Sequence, residues 1–260
     1  MQLKDSTVLI TGGTSGIGLE LVKQLSGQSA DIIITGRNLD GLNDVKNRFP
    51  NIHAFQSDVS KPDDIQQLYG TVTRQFPKLN ILINNAGLMR QLDLANAKTD
   101  LENIACEVNT NLSGTISMVH QFLPHLLKQQ SAAIMNISSG IAFIPYSIAP
   151  VYSAAKAGVH AYTQALRLQL QRSGIEVFEL IPPGVETNLH KDWELKPPEN
   201  RLMQVEKVVR VTVSGMLKGK YEITPGLSGM IKVMSRIAPG FFLKVGHREF
   251  EKLKALSRQQ

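Results

Sequence analysis

Residues 7–18, TVLITGGTSGIG, decide how the chain begins to fold. The run from Thr7 to Thr11 is apolar and β-branched, which predicts a buried strand, and residues 17–26 carry apolar side chains at helical spacing. Between them lies a glycine-rich turn. A glycine-rich turn that follows a strand and opens a helix is the setting in which proteins bind the pyrophosphate of a dinucleotide. The stretch therefore predicts the first strand–helix unit of a nucleotide-binding sheet.

The glycines of this turn each have a reason if a phosphate group binds there. Gly12 allows a sharp turn, whereas Gly16 and Gly18 let the backbone approach the ligand and the helix pack on the strand. The alternative is a glycine-rich turn without a ligand, which would carry the conformational cost of glycine for no gain. The candidate cofactor-binding residues of the turn are Gly12, Thr14, Ser15, Gly16, Ile17 and Gly18.

The rest of the chain continues the alternation of strands and helices. Runs rich in Ile and Val predict further strands at residues 31–35, 51–56, 80–85, 132–138 and 175–181, and helical patterns fall at 17–26, 63–75, 101–128 and 151–172. Such a pattern is typical of an α/β protein with a single Rossmann-type doubly wound parallel β-sheet and helices on both faces. We expect residues 1–224 to form this domain and residues 225–260 to form an extension, without strand–helix rhythm, that packs on it.

The end of the second predicted strand indicates which dinucleotide binds. NAD sites usually carry an acid there, whereas this strand ends at Thr35 and Gly36 and is followed by Arg37. A guanidinium at that point can hold a 2′-phosphate, so the sequence predicts NADP(H); the alternative is a solvated surface arginine. Asp58, after the third strand, either accepts a hydrogen bond from the adenine amine or caps the helix that follows.

A second chemical signal lies in residues 149–162, APVYSAAKAGVHAY. Tyr152 and Lys156 are four residues apart, so a helix would place them on one face. An ammonium about 4 Å from a phenolate contributes about 4 kcal/mol at an effective dielectric of about 20, enough to lower a tyrosine pKa by about three units. Taken alone, the pair is an incidental feature of an amphipathic helix; beside a dinucleotide loop, it predicts an acid–base centre.

Two polar stretches lie where a site would need them. Residues 136–140, NISSG, place Ser138 and Ser139 at the carboxyl end of the fifth strand, where open α/β sheets bind ligands. Residues 108–114, VNTNLSG, place Asn109 and Asn111 in an otherwise apolar helical stretch. A buried asparagine needs partners, so it either satisfies backbone groups or holds a water chain.

Together these motifs resemble the short-chain dehydrogenase/reductase family over about residues 5–190. The matching segments are TGGTSGIG (11–18), NNAG (84–87), NLSG (111–114), ISS (137–139) and YSAAK (152–156). Ser139 stands thirteen positions before Tyr152, a spacing that this family shows. The overall sequence pattern also resembles that of a bacterial subgroup named after the D-alanine–teichoic acid genes. One departure is PPGVET (182–187), with Pro183 where the family usually has glycine.

The resemblance implies roles for individual residues. Tyr152 would be the general acid/base, Lys156 would lower its pKa and bind the nicotinamide ribose, and Ser139 would hydrogen-bond the substrate oxygen. Asn111 would hold a water that relays protons to Lys156, and Asn85 would brace the sheet near the cofactor. The other implied cofactor contacts are Val59, Ala86, Gly87, Val185 and Thr187. The implied activity is NADP(H)-dependent hydride transfer between nicotinamide and a carbonyl/secondary alcohol pair.

The residues expected near the substrate are mainly apolar: Met89, Ile141, Phe143, Tyr146, Leu189 and Trp193. They predict a small hydrophobic or aromatic carbonyl or alcohol as substrate. Trp193 either lines the pocket or packs in the interior. Family members usually pair through helices that correspond to residues 101–128 and 151–172, so the resemblance also implies a homodimer or homotetramer.

Two other classes of protein share parts of this pattern. Ser153 and Lys156 match the S-x-x-K motif of penicillin-recognising acyl enzymes, but the S-D-N and K-T-G elements of those enzymes are absent from the sequence. A non-catalytic NADPH-binding scaffold or sensor is the other alternative. Such a protein has no need of a complete Ser–Tyr–Lys–Asn set, and turnover of a carbonyl with NADPH would separate it from an enzyme.

Composition limits the remaining classes. Cys106 is the only cysteine, which excludes an internal disulfide, and the first residues do not resemble a signal peptide, so we expect a cytoplasmic protein. No apolar run of about 18 residues predicts a spanning helix. The net charge of +6 comes without an aromatic-interleaved basic patch, so nucleic acid is not expected. The histidines lack ligand spacing, so no metal site is expected.

Residues 225–260 lie beyond the part that resembles the family. Seven of them are Lys or Arg, against Glu249 and Glu251, and many others are apolar. Three interpretations are open: the segment folds over the substrate cleft, packs across a subunit interface, or lies on an anionic membrane surface. The Pro239–Gly240 pair breaks any single long helix, which favours packing on the protein itself over peripheral membrane contact.

Overall fold

The computed structural model describes residues 3–28, 31–95 and 101–257. Within these ranges, seven strands form one sheet in which all neighbouring strands are parallel. They are β1 (Thr7–Thr11), β2 (Asp31–Gly36), β3 (Ile52–Gln56), β4 (Leu79–Asn84), β5 (Ala132–Ile137), β6 (Ile175–Leu180) and β7 (Glu222–Ile223). Their order is β3-β2-β1-β4-β5-β6-β7, which confirms the predicted Rossmann-type sheet.

Helices cover both faces of the sheet because both faces of its strands are apolar. In the described chain these helices are α1 (Gly16–Ser26), α2 (Leu39–Arg48), α3 (Pro62–Gln75), α4 (Leu101–Val108), α5 (Gly114–Leu126), α6 (Pro150–Gln169), α7 (Val205–Leu217), α8 (Ser228–Ile237) and α9 (Pro239–Ser257). Val8 and Ile10 join the apolar cluster under α1, α2 and α7. Leu9 and Ile33 join the cluster under α3, α5 and α6. Successive strand residues point to opposite faces, so a doubly covered strand must be apolar throughout.

Residues 101–126 are helical throughout, as the pattern over 101–128 predicts, but a π-helical segment, Asn109–Ser113, lies between α4 and α5. The Asn111 side chain hydrogen-bonds the backbone of Leu88 at this point. Gly114 then opens α5 so close to the neighbouring chain that a Cβ there would lie 2.6 Å from the carbonyl oxygen of Val59. The extra residue per turn of a π segment often occurs beside functional sites, and here it aims a polar side chain towards the carboxyl edge of the sheet.

The described part of residues 225–260, for which the sequence predicts no strand–helix rhythm, contains two helices, α8 and α9, and no strand. Met230, Val233 and Ile237 recur at helical spacing, a signal that the nearby glycines and prolines obscure. Pro239 does break the segment, as predicted, and it then begins α9 at the position where a missing N–H is harmless. None of the helices in residues 3–28, 31–95 and 101–257 is long and apolar enough to cross a membrane.

Candidate active site

A cavity of ≈ 1190 Å³ opens at the carboxyl ends of β1, β4, β5 and β6. It lies where the strand order reverses, which is the usual ligand position in open α/β sheets. Most predicted site residues line it: Gly12, Thr14, Ser15, Gly16, Ile17, Arg37, Asp58, Val59, Asn85, Ala86, Gly87, Ser139, Tyr152, Lys156, Val185 and Thr187. The other two, Gly18 and Asn111, do not line the cavity but pack against residues that do.

The glycine-rich turn forms one end of this cavity. Gly12 and Gly16 have φ values of 66° and 53°, a region that glycine adopts readily and other residues rarely. A Cβ on Gly18 would lie 2.2 Å from the carbonyl oxygen of Gly12, so only glycine lets α1 begin this close to β1. Ser15, the N-cap of α1, makes no side-chain capping bond. The first N–H groups of α1 can therefore serve an anionic group.

The segment after β4 fixes the two strands that flank the cavity. The Asn85 side-chain amide donates to the carbonyl oxygens of Thr11 and Gly12, both at 2.9 Å. The Thr11 hydroxyl accepts from the backbone N–H groups of Asn85 and Ala86, both at 3.0 Å. These four bonds hold the ends of β1 and β4 together at the reversal of strand order. Thr11 is not among the predicted site residues, although it ends the first strand.

Helix α6 presents Tyr152 and Lys156 to the other end of the cavity. Both residues are buried, and Ser139 is close enough to the Tyr152 phenol to lower its pKa. Lys156 Nζ donates to the carbonyl oxygen of Ile137 at 2.7 Å and lies 5.5 Å from the centre of the Tyr152 ring. The structure thus brings together the Ser139, Tyr152 and Lys156 side chains that the sequence singles out.

Burial dominates the electrostatics of this trio. It raises the pKa of Tyr152 above the ordinary value, the Glu107 carboxyl raises it further, and the Ser139 side chain opposes both. Burial lowers the pKa of Lys156 to about 8, against the attraction of Glu179. The surrounding protein groups therefore favour the neutral phenol, and a lowering of the Tyr152 pKa by Lys156 stays a prediction.

Asn111 lies fully buried in the π-helical segment. Its Nδ2 donates to the carbonyl oxygen of Leu88 at 2.7 Å, and its Oδ1 accepts from the Leu88 N–H at 3.0 Å. Its own carbonyl oxygen accepts from the Thr115 hydroxyl at 3.1 Å. The side chain therefore satisfies backbone groups, one of the two interpretations of this asparagine, and a water relay from Asn111 to Lys156 stays a prediction.

Arg37 and Asp58 line the far end of the cavity, beyond β2 and β3. Arg37 is exposed there, and its carbonyl oxygen accepts from Gln56 Nε2 at 2.9 Å. Asp58 Oδ1 accepts from the backbone N–H and the hydroxyl of Ser60, at 2.9 and 2.7 Å. The N-cap of α3 is Lys61, so the interpretation of Asp58 as the helix cap is wrong; it stabilises the turn before the helix.

A family model described as short chain dehydrogenase matches residues 6–198. The chain belongs to the short-chain dehydrogenase family. The family inferred from the motifs is confirmed, and with it the general class, an oxidoreductase. The match ends before α7, α8 and α9, so the C-terminal helices lie beyond the part that defines the family.

This short-chain dehydrogenase has relatives whose names give the class of enzyme. The uncharacterized oxidoreductase DltE of Bacillus subtilis is 38% identical over 225 residues, which are 86% of this chain and 89% of that protein. It carries the name of the subgroup that the sequence resembles. Among solved structures, a short-chain dehydrogenase from Sphingobium yanoikuyae in complex with NADPH has a TM-score of 0.80 and 25% identity, covering 91% of this chain and 94% of that one.

A second solved structure shows only the fold, because its identity is 19%. It is a short chain dehydrogenase/reductase from Burkholderia phymatum in complex with NAD, with a TM-score of 0.78 and coverage of 89% of this chain and 93% of that one. The two neighbours differ in the nicotinamide dinucleotide that they contain. The fold is therefore compatible with both dinucleotides, and residues of the individual chain must select between them.

Beside Tyr152, the cavity wall of this short-chain dehydrogenase contains a group of apolar side chains as well as the charged Arg201 and Glu249. Four of the predicted pocket residues line it: Met89, Ile141, Tyr146 and Leu189. Helices α8 and α9 add Ile231, Phe242 and Val245. Burial, with Glu249 nearby, raises the pKa of Tyr146 to about 12, so this residue acts as a neutral phenol in the wall.

Two predicted pocket residues do not line the cavity. The Trp193 indole N–H donates to the carbonyl oxygen of Met89 at 3.2 Å, and the ring packs in the apolar cluster behind it. The Phe143 ring instead meets the ring of His160 edge-on, at 4.9 Å between centroids. The prediction for Phe143 is wrong, and for Trp193 the interior-packing interpretation holds, because an aromatic residue near a site can pack behind its wall as well as on it.

The sequence analysis did not single out two buried acids that lie near Ser139, Tyr152 and Lys156. Glu107 and Glu179 are fully buried. Each interrupts an otherwise apolar stretch, IACEV (104–108) or VFELI (177–181), and a buried acid needs a partner, so this was the available signal. Glu107 Oε1 accepts from the Arg90 N–H at 3.3 Å, and Oε2 has no partner within the described chain. Burial raises the pKa of Glu107 to about 7.

Proposed function

We propose that this short-chain dehydrogenase is an NADP(H)-dependent oxidoreductase that transfers a hydride between nicotinamide and a carbonyl/secondary alcohol substrate, with Tyr152 as general acid/base. The observation that carries the proposal is the placement of Ser139, Tyr152 and Lys156 together in a cavity whose other end is the glycine-rich turn. An acid–base pair and a phosphate-binding turn in one cavity are what this chemistry requires.

The residues of the cavity fit a dinucleotide. Gly12 and Gly16 hold a turn that other residues would strain, and Gly18 brings the uncapped N-terminus of α1 against it. Thr35 and Ser57 line the same end of the cavity, and their buried hydroxyl oxygens have no hydrogen-bond partner within the described chain. Unsatisfied buried hydroxyls on a cavity wall suit a polar ligand such as a nucleoside. The NADPH in the Sphingobium yanoikuyae structure supports the same assignment.

The choice of NADP(H) over NAD(H) depends on the end of β2. The strand ends without an acid that would accept from a ribose 2′-hydroxyl, and Arg37 follows at the rim of the cavity. A guanidinium can pair with a 2′-phosphate through two charge-assisted hydrogen bonds. Because fold neighbours contain either dinucleotide, Arg37 is the residue on which the preference rests.

Each member of the catalytic trio has a task that its surroundings suit. The nicotinamide, when bound, gives a hydride to a carbonyl carbon or takes one from an alcohol. Tyr152 is held neutral by burial, so it can donate its proton to the carbonyl oxygen during reduction. Ser139 can hydrogen-bond the same oxygen, and it accepts from the Ile141 N–H at 3.3 Å, which fixes its orientation. The charge of Lys156 stabilises the phenolate that remains.

The apolar side chains of the cavity wall support a hydrophobic or aromatic carbonyl or alcohol as substrate. Such a molecule would replace water in the part of the cavity lined by Met89, Ile141, Leu189 and Phe242. Burial of apolar area contributes about 25 cal/mol per Å², so a ring or a short alkyl chain gains binding energy there. The carbonyl oxygen would then lie at the polar end, beside Ser139 and Tyr152.

The Tyr152→Phe variant tests the proposed function. It keeps the ring but removes the proton that is exchanged, so we expect reduction of apolar carbonyls by NADPH to fall by about 10²–10⁴-fold. Binding of NADPH, followed by its fluorescence, should stay close to that of the parent protein. Initial rates over a panel of aryl and alkyl ketones and aldehydes would measure the loss.

Tyr162→Phe is the matched control, because Tyr162 lies on the same helix and packs in the apolar core away from the cavity. We expect it to retain the parent rate. If Tyr152→Phe kept more than about a tenth of the parent rate, the acid–base role would be wrong. If the parent bound NADPH but reduced no member of the panel, the scaffold or sensor alternative would be favoured.

A further inference from the structure

Glu179, on β6, is a fully buried acid with a defined set of partners. Its Oε1 accepts from the Ser138 hydroxyl at 2.5 Å. His160 Nδ1 lies 2.9 Å from Oε1 and 3.0 Å from Oε2. Since carboxylate oxygens are acceptors, the geometry assigns a proton to His160 Nδ1. The three residues, named here the Glu179 cluster, come from β6, from the end of β5 and from α6.

The Glu179 cluster lies next to the proposed catalytic trio, Ser139, Tyr152 and Lys156. His160 is one helical turn after Lys156 and two turns after Tyr152 on α6, so the three share a helix face. Ser138 immediately precedes Ser139. The Lys156 ammonium is itself held on the carbonyl oxygen of Ile137, the last residue of β5. The ammonium of Lys156 and the carboxylate of Glu179 are therefore held at adjacent residues, Ile137 and Ser138.

The buried Lys156 needs a negative neighbour to remain charged. Removal from water disfavours its ammonium, and the ammonium donates a hydrogen bond to a neutral carbonyl oxygen. Glu179 is the group whose attraction raises the pKa of Lys156 against burial. The net effect still lowers that pKa to about 8. A small further fall in the pKa would therefore remove much of the ammonium form near neutral pH.

Other charged groups around the cluster are engaged elsewhere. Lys232 of α8 lies 5.9 Å from the centre of the Phe143 ring, which separates it from His160, and it pairs with Glu222 of β7. Arg167 of α6 donates to the carbonyl oxygens of Val177 and Tyr221. On the opposite side, Glu107 of α4 acts on Tyr152. Glu179 is thus the carboxylate through which the protein acts on Lys156.

We propose that Glu179, fixed by Ser138 and His160, is a positioning residue that keeps Lys156 in its ammonium form and so sets the upper pH limit of catalysis. The inference rests on the role of Lys156 in the proposed function. It adds a buried acid–imidazole pair, Glu179 and His160, to the site. His160 lies one turn of α6 beyond Lys156, on the same helix face as Tyr152 and Lys156. His160 and Ser138 act on Glu179, because they hold its carboxylate oxygens and neither is one of the three residues to which the proposed function assigns a role in the reaction.

The test compares the full-length parent with Glu179→Gln, which keeps the size and the acceptor for Ser138 but removes the charge. In protein labelled with ¹³C at lysine Cε, we expect the pKa of Lys156 to fall by about one unit or more in the variant. The resonance is assigned by its absence in Lys156→Arg. An unchanged titration of Lys156 would overturn the proposal, and this readout needs neither substrate nor cofactor.

Activity supplies the second readout. In Glu179→Gln, the alkaline limb of the kcat/KM profile should move to lower pH by the same amount as the titration, so that the loss of rate is larger at pH 8 than at pH 6. A loss that is equal at all pH values would show a structural role and contradict the proposal. If the titration shifts but no carbonyl is turned over by the parent, the function has failed and the electrostatic role of Glu179 stands.

Two further variants separate charge from packing. Glu179→Asp keeps the carboxylate, so it should restore at least part of the Lys156 titration and of the alkaline limb. Glu176→Gln removes the same charge from the same strand, at a partly exposed position, and should leave both unchanged. A shift in Glu176→Gln as large as that in Glu179→Gln would show a general charge effect and would overturn the specific role of the cluster.

Discussion

At the scale of single residues, the site depends on which form of each titratable group burial favours. Burial raises the pKa of Tyr152 and favours its neutral phenol, whereas it lowers the pKa of Lys156, and the attraction of Glu179 opposes that fall. The sequence places Tyr152 and Lys156 on one face but says nothing about their desolvation. Desolvation is the largest cause of both pKa shifts, so a distance-based estimate from sequence spacing describes only part of the electrostatics.

Arg37 carries the prediction of cofactor preference. Arg37→Ala should weaken NADPH binding by about 10- to 150-fold, because a charge-assisted hydrogen bond contributes about 1.5–3 kcal/mol. NADH, which has no 2′-phosphate, should bind the variant and the parent alike. Fluorescence titration of both dinucleotides would measure the four affinities.

Arg48→Ala serves as the control for loss of a positive charge, since Arg48 ends α2, lies over the Phe49 ring and does not line the cavity. It should leave both affinities unchanged. Equal affinity of the parent protein for NADPH and NADH would show that Arg37 does not select the dinucleotide.

At the scale of elements, the packing of α4 on α6 encloses the Glu107 carboxyl close to Tyr152. Burial raises the pKa of Glu107 from 4.5 to about 7, so between these values the folded state binds a proton that the unfolded state has released. The free energy of unfolding therefore falls as pH rises through this window.

Glu107→Gln should remove this pH dependence. Relative to the parent, the variant should gain stability between pH 5 and pH 8, by at most about 3 kcal/mol, since one pKa unit corresponds to about 1.4 kcal/mol. Urea unfolding of both proteins at the two pH values would give the four free energies. The comparison is a difference across pH, so any cost of burying the amide cancels.

Glu102→Gln is the control on the same helix, because Glu102 is exposed. It should change the stability equally at both pH values. If Glu107→Gln also changed the stability by the same amount at pH 5 and pH 8, then Glu107 would not be the group that titrates with a raised pKa in the folded protein.

At the scale of the whole molecule, the C-terminal helices complete a cavity that the family core begins. Lys232 pairs with Glu222, His247 Nδ1 lies 3.1 Å from the Ser147 hydroxyl, and Phe250 packs in the apolar cluster of Tyr152. These contacts support the interpretation in which residues 225–260 pack on the same protein. The homodimer or homotetramer implied by the family stays a prediction.

Two adjacent phenylalanines on α9 test that arrangement. Phe242 lines the cavity, whereas Phe241 is exposed and does not line it. Phe242→Ala should raise KM for apolar carbonyls by about 10-fold or more, because losing part of an apolar pocket costs about 1–3 kcal/mol. Phe241→Ala should leave KM unchanged. Steady-state kinetics of the full-length variants would measure both.

If residues 225–260 instead lie on a membrane surface, the opposite result is expected for Phe241 and Phe242. If Phe241→Ala, and not Phe242→Ala, lost an affinity for anionic phospholipid vesicles that the parent showed, and KM changed in neither, then the segment would serve a membrane surface rather than the cleft. Vesicles of neutral phospholipid provide the reference for binding that is independent of charge.

The sequence by itself determined the features that depend on short separations along the chain. The strand, glycine-rich turn and helix of residues 7–26 follow from apolar spacing and from the freedom of glycine, and the shared face of Tyr152 and Lys156 follows from the period of a helix. The family motifs add Ser139 to this pair. Such features could be predicted because neighbouring residues and backbone sterics fix them.

Only the tertiary structure decided which distant groups meet. Glu179 reaches Ser138 and His160 because β5 and β6 pair in parallel under α6, and nothing local in the sequence states that pairing. Likewise, Phe242 lines the cavity and its neighbour Phe241 does not, because the docking of α9 sets which face turns inward. Long-range contacts and desolvation depend on how complete elements pack, so they become visible only once the chain is folded.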